Sequence, residues 1–133
     1  MIDDSIAIGE GQAVEFKARI PKNADGLTSE IAAFASWEGG TLLIGVTDDG
    51  TVVGYEDDKE RIEGVVKNVS PVPTVNVDLV PYKERTIALV RVRKGPEPLY
   101  YANFRPYVRQ GTLSRPATPD EVKSIFERYY RPR

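Results

Sequence analysis

Three carboxylates set out the chemistry open to this chain: Glu10 and Glu15 in G-E-G-Q-A-V-E-F-K, and Asp48 in I-G-V-T-D-D-G. Carboxylate oxygens are hard donors. Three of them together would hold Mg²⁺ or Mn²⁺, ions that keep several waters. Such an ion activates water and neutralises a phosphate. The three must first converge. Residues 14–19 read as a strand, with Val14 and Phe16 facing the core and Ala13, Glu15 and Lys17 facing the other way. Glu10 joins Glu15 only if the chain bends before that strand, which Gly9 and Gly11 permit. Asp48 follows a buried strand. A plainer reading stands beside this one: Asp48-Asp49-Gly50 is also hairpin-turn chemistry, and exposed glutamates are usually solvated.

The rest of the composition narrows the choice. There is no cysteine and no histidine. That excludes a disulfide framework, a thiol nucleophile, the usual zinc sites and a Ser–His–Asp triad. Neither G-x-x-x-x-G-K-[ST] nor G-x-G-x-x-G occurs, so ATP and dinucleotide enzymes lack their signature. No apolar run reaches a membrane span. The acidic start M-I-D-D-S lacks a signal-peptide pattern, and a cytoplasmic location is expected. Charge is uneven. Residues 1–82 carry 6 Lys/Arg and 15 Asp/Glu, whereas residues 83–133 carry 12 and 5. An acidic site beside a basic stripe would suit a polyanion, although halves of a sequence also interleave on a folded surface.

Two further constellations bear on binding. Arg109 and Arg115 flank a glycine and two hydroxyl residues in Y-V-R-Q-G-T-L-S-R-P-A, a set suited to phosphate contact or to a solvated surface loop. Tyr100, Tyr101, Phe104 and Tyr107 lie close by. They would stack on bases or pack a loop against the core. Trp37-Glu38-Gly39-Gly40 would end a helix or bring backbones close.

The elements that must position these residues follow from periodicity. Leu27, Ile31 and Phe34 recur at helical spacing, with Asp25 as N-cap. Residues 41–46, T-L-L-I-G-V, form a strand buried on both faces. Residues 51–54 pair back on it as a hairpin. Asp57 or Asp58 opens a second helix carrying Ile62, Val65, Val66 and Val69. Residues 74–82 and 86–92 form a second hairpin, with Val75, Val77 and Leu79 inward and with Arg91 and Arg93 sharing an outer face. Residues 94–104 read as loop, and residues 106–109 as a short strand. Thr118-Pro119-Asp120-Glu121 starts a third helix that would bury Val122, Ile125, Phe126 and Tyr129. The expectation is one α+β domain with a mixed β-sheet and about three helices.

In combination and in order, these stretches resemble the Schlafen AlbA-like domain family. Its pattern runs close to E-S-x-x-x-E-F-K, then A-F-A-N-x-x-G-G-T-L-L-I-G-V-x-D-D-G-x-x-x-G, then Y-x-R-x-G-S-x-x-R-P-A. The corresponding stretches here are E-G-Q-A-V-E-F-K, A-F-A-S-W-E-G-G-T-L-L-I-G-V-T-D-D-G-T-V-V-G and Y-V-R-Q-G-T-L-S-R-P-A. Ser36 stands where the family usually has Asn, and Gly11 where it has Ser. The resemblance implies nucleic-acid binding, to RNA or DNA. For some members it implies Mg²⁺- or Mn²⁺-dependent endoribonuclease activity on structured RNA such as tRNA. It assigns the metal-holding and catalytic roles to Glu10, Glu15 and Asp48. Lys17, Arg91, Arg93, Arg109 and Arg115 become the expected nucleic-acid contacts. Animal members form a trough from two lobes, so a lone domain would act as a homodimer. The alternative is a non-catalytic DNA- or RNA-binding regulatory module.

Overall fold

The computed structural model describes residues 2–131. Its elements are α1 (Ile2–Ile8), β1 (Val14–Lys17), α2 (Asp25–Ser36), β2 (Gly40–Ile44), α3 (Lys59–Val66), β3 (Val75–Tyr82), β4 (Arg85–Val92), β5 (Tyr100–Ala102), β6 (Arg105–Gln110), β7 (Leu113–Pro116) and α4 (Pro119–Tyr129). The fold is α+β with a mixed sheet, as expected. A four-stranded sheet runs β1-β2-β4-β3, and a three-stranded sheet runs β5-β6-β7. Only the β1–β2 pair of the larger sheet is parallel.

α2 lies between the two sheets. Residues Ile31 to Ala35 are buried without a break, so the helix is covered all round, as its A-A-F-A run requires. On its side of the larger sheet, Leu42, Ile44, Ala88 and Val90 join Ile31, Phe34 and Ile62 in the main core. On the other side, Phe16, Leu43, Ile87 and Leu89 form a second cluster. α1 closes that cluster with Ile2 and Ile6, four residues apart on one helix face. Gly9, at φ 88°, ends α1 by donating its amide to Ser5 O at 3.0 Å.

Several sequence expectations are corrected. α1 is a fourth helix. α2 is capped at Ala24 with no side-chain cap, and Asp25 lies in its first turn. Residues 51–54 do not form a hairpin strand. The chain does turn back on the end of β2 there, through the Val46–Val52 bridge and backbone hydrogen bonds from Thr47 to Thr51 O and from Val53 and Gly54 to Gly45 O, but no strand extends from it. Leu79 is exposed, and Val80 on the opposite face packs instead. The 94–104 loop contains β5, and a second sheet is built from segments too short to show a period. α4 has its full Thr118–Glu121 capping box, but none of its residues is buried. Among the described residues, no helix is long and apolar enough to cross a membrane.

Candidate functional site

The chain bends before β1 in the way that the glycines allow. Gly11 and Val14 exchange backbone hydrogen bonds at 3.0 and 3.4 Å. This doubles the chain back, so that Glu10 Oε2 accepts the Phe16 amide at 3.0 Å. β1 is an edge strand, and the Phe16 amide points away from β2. Glu10 therefore satisfies a donor that the sheet leaves unpaired. Glu15 faces the opposite side of the strand from Phe16, beneath α2 and β6.

The centre of the site is Arg109. Its side chain is fully buried. Nη2 donates to Gly11 O at 2.7 Å and to Glu15 Oε1 at 3.1 Å. Nη1 donates to Glu30 Oε2 at 3.1 Å and to Ser114 Oγ at 3.0 Å. Nε donates to Gln12 O at 3.0 Å. The guanidinium lies 4.6 Å from the centroid of the Phe34 ring, a favourable cation–π stack. Lys17 Nζ sits 3.3 Å from Glu30 Oε1. One arginine thus ties β6 and β7 to β1, to the turn before it, and to α2.

Three glutamates face two cations here, and burial decides the outcome. The Glu15 carboxyl is pushed up to about 8, first by desolvation, then by its hydrogen bond with Glu10 and the charges of Glu30 and Glu10; Arg109 pulls it back.

Asp48 takes no part. It is exposed in the turn after β2. Its neighbour Asp49 organises that turn, accepting from the Thr51 amide at 3.1 Å and from the Thr47 hydroxyl. Among the described residues, no group of three His, Cys, Asp or Glu side chains could hold a metal ion. The Glu10, Glu15 and Asp48 donor set does not fit Mg²⁺ or Mn²⁺ as built. One carboxyl is clamped by a guanidinium, one accepts a backbone amide, and the third stands apart in solvent.

The expected nucleic-acid contacts divide in the same way. Arg109 is inside the fold, with every nitrogen committed to it. Arg115 makes a two-pronged pair with Glu121, at 2.7 Å to each oxygen, and joins β7 to α4. That pairing, with the Thr118 amide, lowers the Glu121 carboxyl to about 2. Lys17 is engaged by Glu30. Arg91 is half exposed and reaches Asp78 at 3.6 Å, a surface pair of little strength. Arg93 is exposed, and among the described residues no group pairs with its side chain.

Sequence reasoning missed a groove of about 490 Å³ beside this end of β4, with Trp37, Lys94, Val108, Ile125, Arg128 and Tyr129 in its walls. Lys94, the last cation of the R-V-R-K run, was its visible signal. Gly39-Gly40 shapes the floor near it. A Cβ on Gly39 would lie 2.7 Å from Val92 O, and one on Gly40 would lie 2.3 Å from the Phe34 ring. Both the helix end and the close approach expected of these glycines are present. Ser36, in the family's usual Asn position, accepts the Tyr100 amide at 2.7 Å.

Comparison with known proteins places this architecture. No curated protein matches the sequence. The crystal structure of the DIP2311 protein from Corynebacterium diphtheriae is similar with a TM-score of 0.68 and 24% identity, over 87% of this chain and 24% of that one. This chain therefore spans about a quarter of that protein. The solution structure of the N-terminal domain of a "Putative ATP-dependent DNA Helicase RecG-related Protein" from Nitrosomonas europaea is similar with a TM-score of 0.56 and 17% identity, over 89% of each chain. The family described as Schlafen, AlbA_2 matches residues 10–118, from the first glutamate of the site to the N-cap of α4. The chain belongs to the Schlafen AlbA_2 family.

Proposed function

We propose that this chain is a nucleic-acid-binding domain that grips the phosphate backbone without cutting it. The observation that carries this reading is the end of β4. Lys94 and Arg128 of α4 line the groove, where Lys94 also reaches Glu38 at 3.6 Å, and Arg91 and Arg93 alternate onto the other face of the same strand end, on the side of Ile87 and Leu89. Arg93 and Arg128 have no carboxylate partner among the described residues. Trp37 and Tyr129 line the same groove with aromatic surface. Free cations with aromatic faces suit a nucleic acid better than a small acidic substrate. The family and the helicase-related name of one structural relative point in the same direction.

The finer reading is metal-dependent endoribonuclease action on structured RNA such as tRNA. It would require Glu15 to leave Arg109 and Asp48 to join it. Self-association belongs to the proposal as well. Val122 and Phe126 of α4, Tyr130 just after it and Leu113 of β7 remain exposed or half exposed, and a two-fold pairing along α4 would cover them.

Fluorescence anisotropy with labelled tRNA tests the binding. Affinity should fall steeply with salt. Arg93→Ala and Arg128→Ala should each weaken binding and make the log–log salt slope shallower by about one. A salt-independent affinity, or two variants that bind like the parent, would remove the proposed surface.

A further inference from the structure

The β5–β6 hairpin turns through only two residues, because Ala102 pairs directly with Arg105. Those residues, Asn103 and Phe104, have φ of 52° and 65°. Two-residue turns with both φ positive favour Asn followed by Gly. The first position obeys that preference, and the second carries a phenylalanine in a left-handed conformation that a bulky side chain rarely adopts. Phe104 is also fully exposed, at 102%. Neither local geometry nor core packing accounts for it. Another two-residue turn, Lys83-Glu84, has the same handedness, with φ of 46° and 56°. Its side chains are charges that water solvates. Phe104 presents a bare ring instead.

The hairpin is held firmly. Ser70 and Tyr101 exchange backbone hydrogen bonds at 2.9 and 2.8 Å, which pins β5 to the segment after α3. A cleft of about 500 Å³ opens beside the ring, lined by Asp25, Thr28, Asn68, Ser70 and Tyr101. The side chains of Asp25, Asn68 and Ser70 make no hydrogen bond among the described residues. Together they offer donors and acceptors. Arg105, the next residue, is exposed, and its side chain has no partner among the described residues.

We propose that Phe104 is a stacking platform for an unpaired nucleobase, with the base's polar edge in the adjoining cleft and its phosphate on Arg105. The three parts of a nucleotide each meet matching chemistry: a flat apolar face, unpaired hydrogen-bond groups and a cation. A duplex cannot use this arrangement, because its bases are already stacked and paired. β6 runs from Arg105 at this tip to Val108 in the wall of the β4 groove, about 10 Å at strand rise. A single strand of a few nucleotides would touch both. This inference rests on the nucleic-acid reading above and deepens it, by naming single-stranded segments as the target.

The test compares Phe104→Gly and Phe104→Trp with the parent, using labelled oligouridylate, oligothymidylate and an RNA duplex. Glycine suits the turn, so Phe104→Gly should melt at the parent temperature or above, which keeps loss of folding out of the result. It should bind both single strands about ten-fold or more weakly, with duplex binding unchanged. Phe104→Trp should bind them as tightly as the parent or tighter. If the parent binds nucleic acid and Phe104→Gly binds single strands equally well, the platform is wrong and the broader reading survives. If the parent binds none of the three probes, both fall.

Discussion

Arg109 Nη2 stands 3.1 Å from Glu15 Oε1, and the arginine side chain has no solvent exposure. An arginine expected to meet phosphates and a glutamate expected to meet a metal have each other instead. Arg109 is the shared donor to the Glu30 and Glu15 carboxyls and to the Gly11 and Gln12 carbonyls, and its removal leaves that buried set uncompensated. Arg109→Ala should therefore cost about 3–5 kcal/mol, visible as a lower midpoint in urea. Arg109→Lys should recover only part of this, since an ammonium has three donors and no planar fork. If Arg109→Ala keeps the parent midpoint and loses RNA affinity, Arg109 is a binding residue after all.

The protonation of Glu15 gives stability a pH dependence of definite sign. Its carboxyl is raised from an ordinary 4.5 to about 8 in the folded state. Between those values the folded protein binds more protons than the unfolded chain. Stability from this group is therefore complete below about pH 4.5 and is lost as pH rises through 8. The melting temperature should fall between pH 5 and 8, by several degrees for each kcal/mol involved in a domain of this size. Glu15→Gln should flatten that slope and melt at or above the parent at the upper end. A Glu15→Gln variant that melts clearly lower across the range would make the ionised Glu15–Arg109 pair the dominant stabiliser.

Gly40 has no room for a side chain. The Phe34 ring that a Cβ would strike is fully buried and carries the Arg109 guanidinium on its face. Gly40→Ala should destabilise by about 1–3 kcal/mol through overpacking. Gly64, inside α3, has nothing within 4 Å of its would-be Cβ. Gly64→Ala should stabilise by about 0.5–1 kcal/mol. Thermal melts of the two variants should move in opposite directions, and movement in the same direction would mean that the packing around Phe34 is misread.

The α4 stripe predicts the assembly state. Light scattering at micromolar concentration should give twice the chain mass, and Phe126→Glu should return it to one chain while the Thr118 cap keeps α4 folded. A monomeric parent would contradict the two-fold pairing.

Sequence and structure agree where a single local rule decides. The Thr118 capping box, the start of α3 at Asp57 or Asp58 and the β3–β4 hairpin were all legible, because each depends on neighbours in the chain. Glu15 and Lys17 lie on the strand face expected from alternation. What alternation could not supply was the neighbour across that face. Arg109 is 94 residues from Glu15 in the chain, and its motif suits a phosphate loop as well as a buried clamp. Burial of the arginine, not its type, separates those readings. The second sheet was hidden for a related reason: β5 and β7 have three and four residues, too few to show a period. α1 carried a signal in Ile2 and Ile6, but one apolar pair in an acidic terminus is a weak pattern.

One experiment bears most directly on the claim that the glutamates form a structural clamp while the exposed cations bind nucleic acid. Labelled tRNA is incubated with the parent and with Glu15→Gln, in Mn²⁺ or in chelator, and both mobility shift and cleavage are read from the same samples. The account predicts a salt-sensitive shift of equal affinity in Mn²⁺ and in chelator for both proteins, with the RNA intact. Cleavage by the parent that needs Mn²⁺ and disappears in Glu15→Gln would contradict it, and would return Glu15 to a metal.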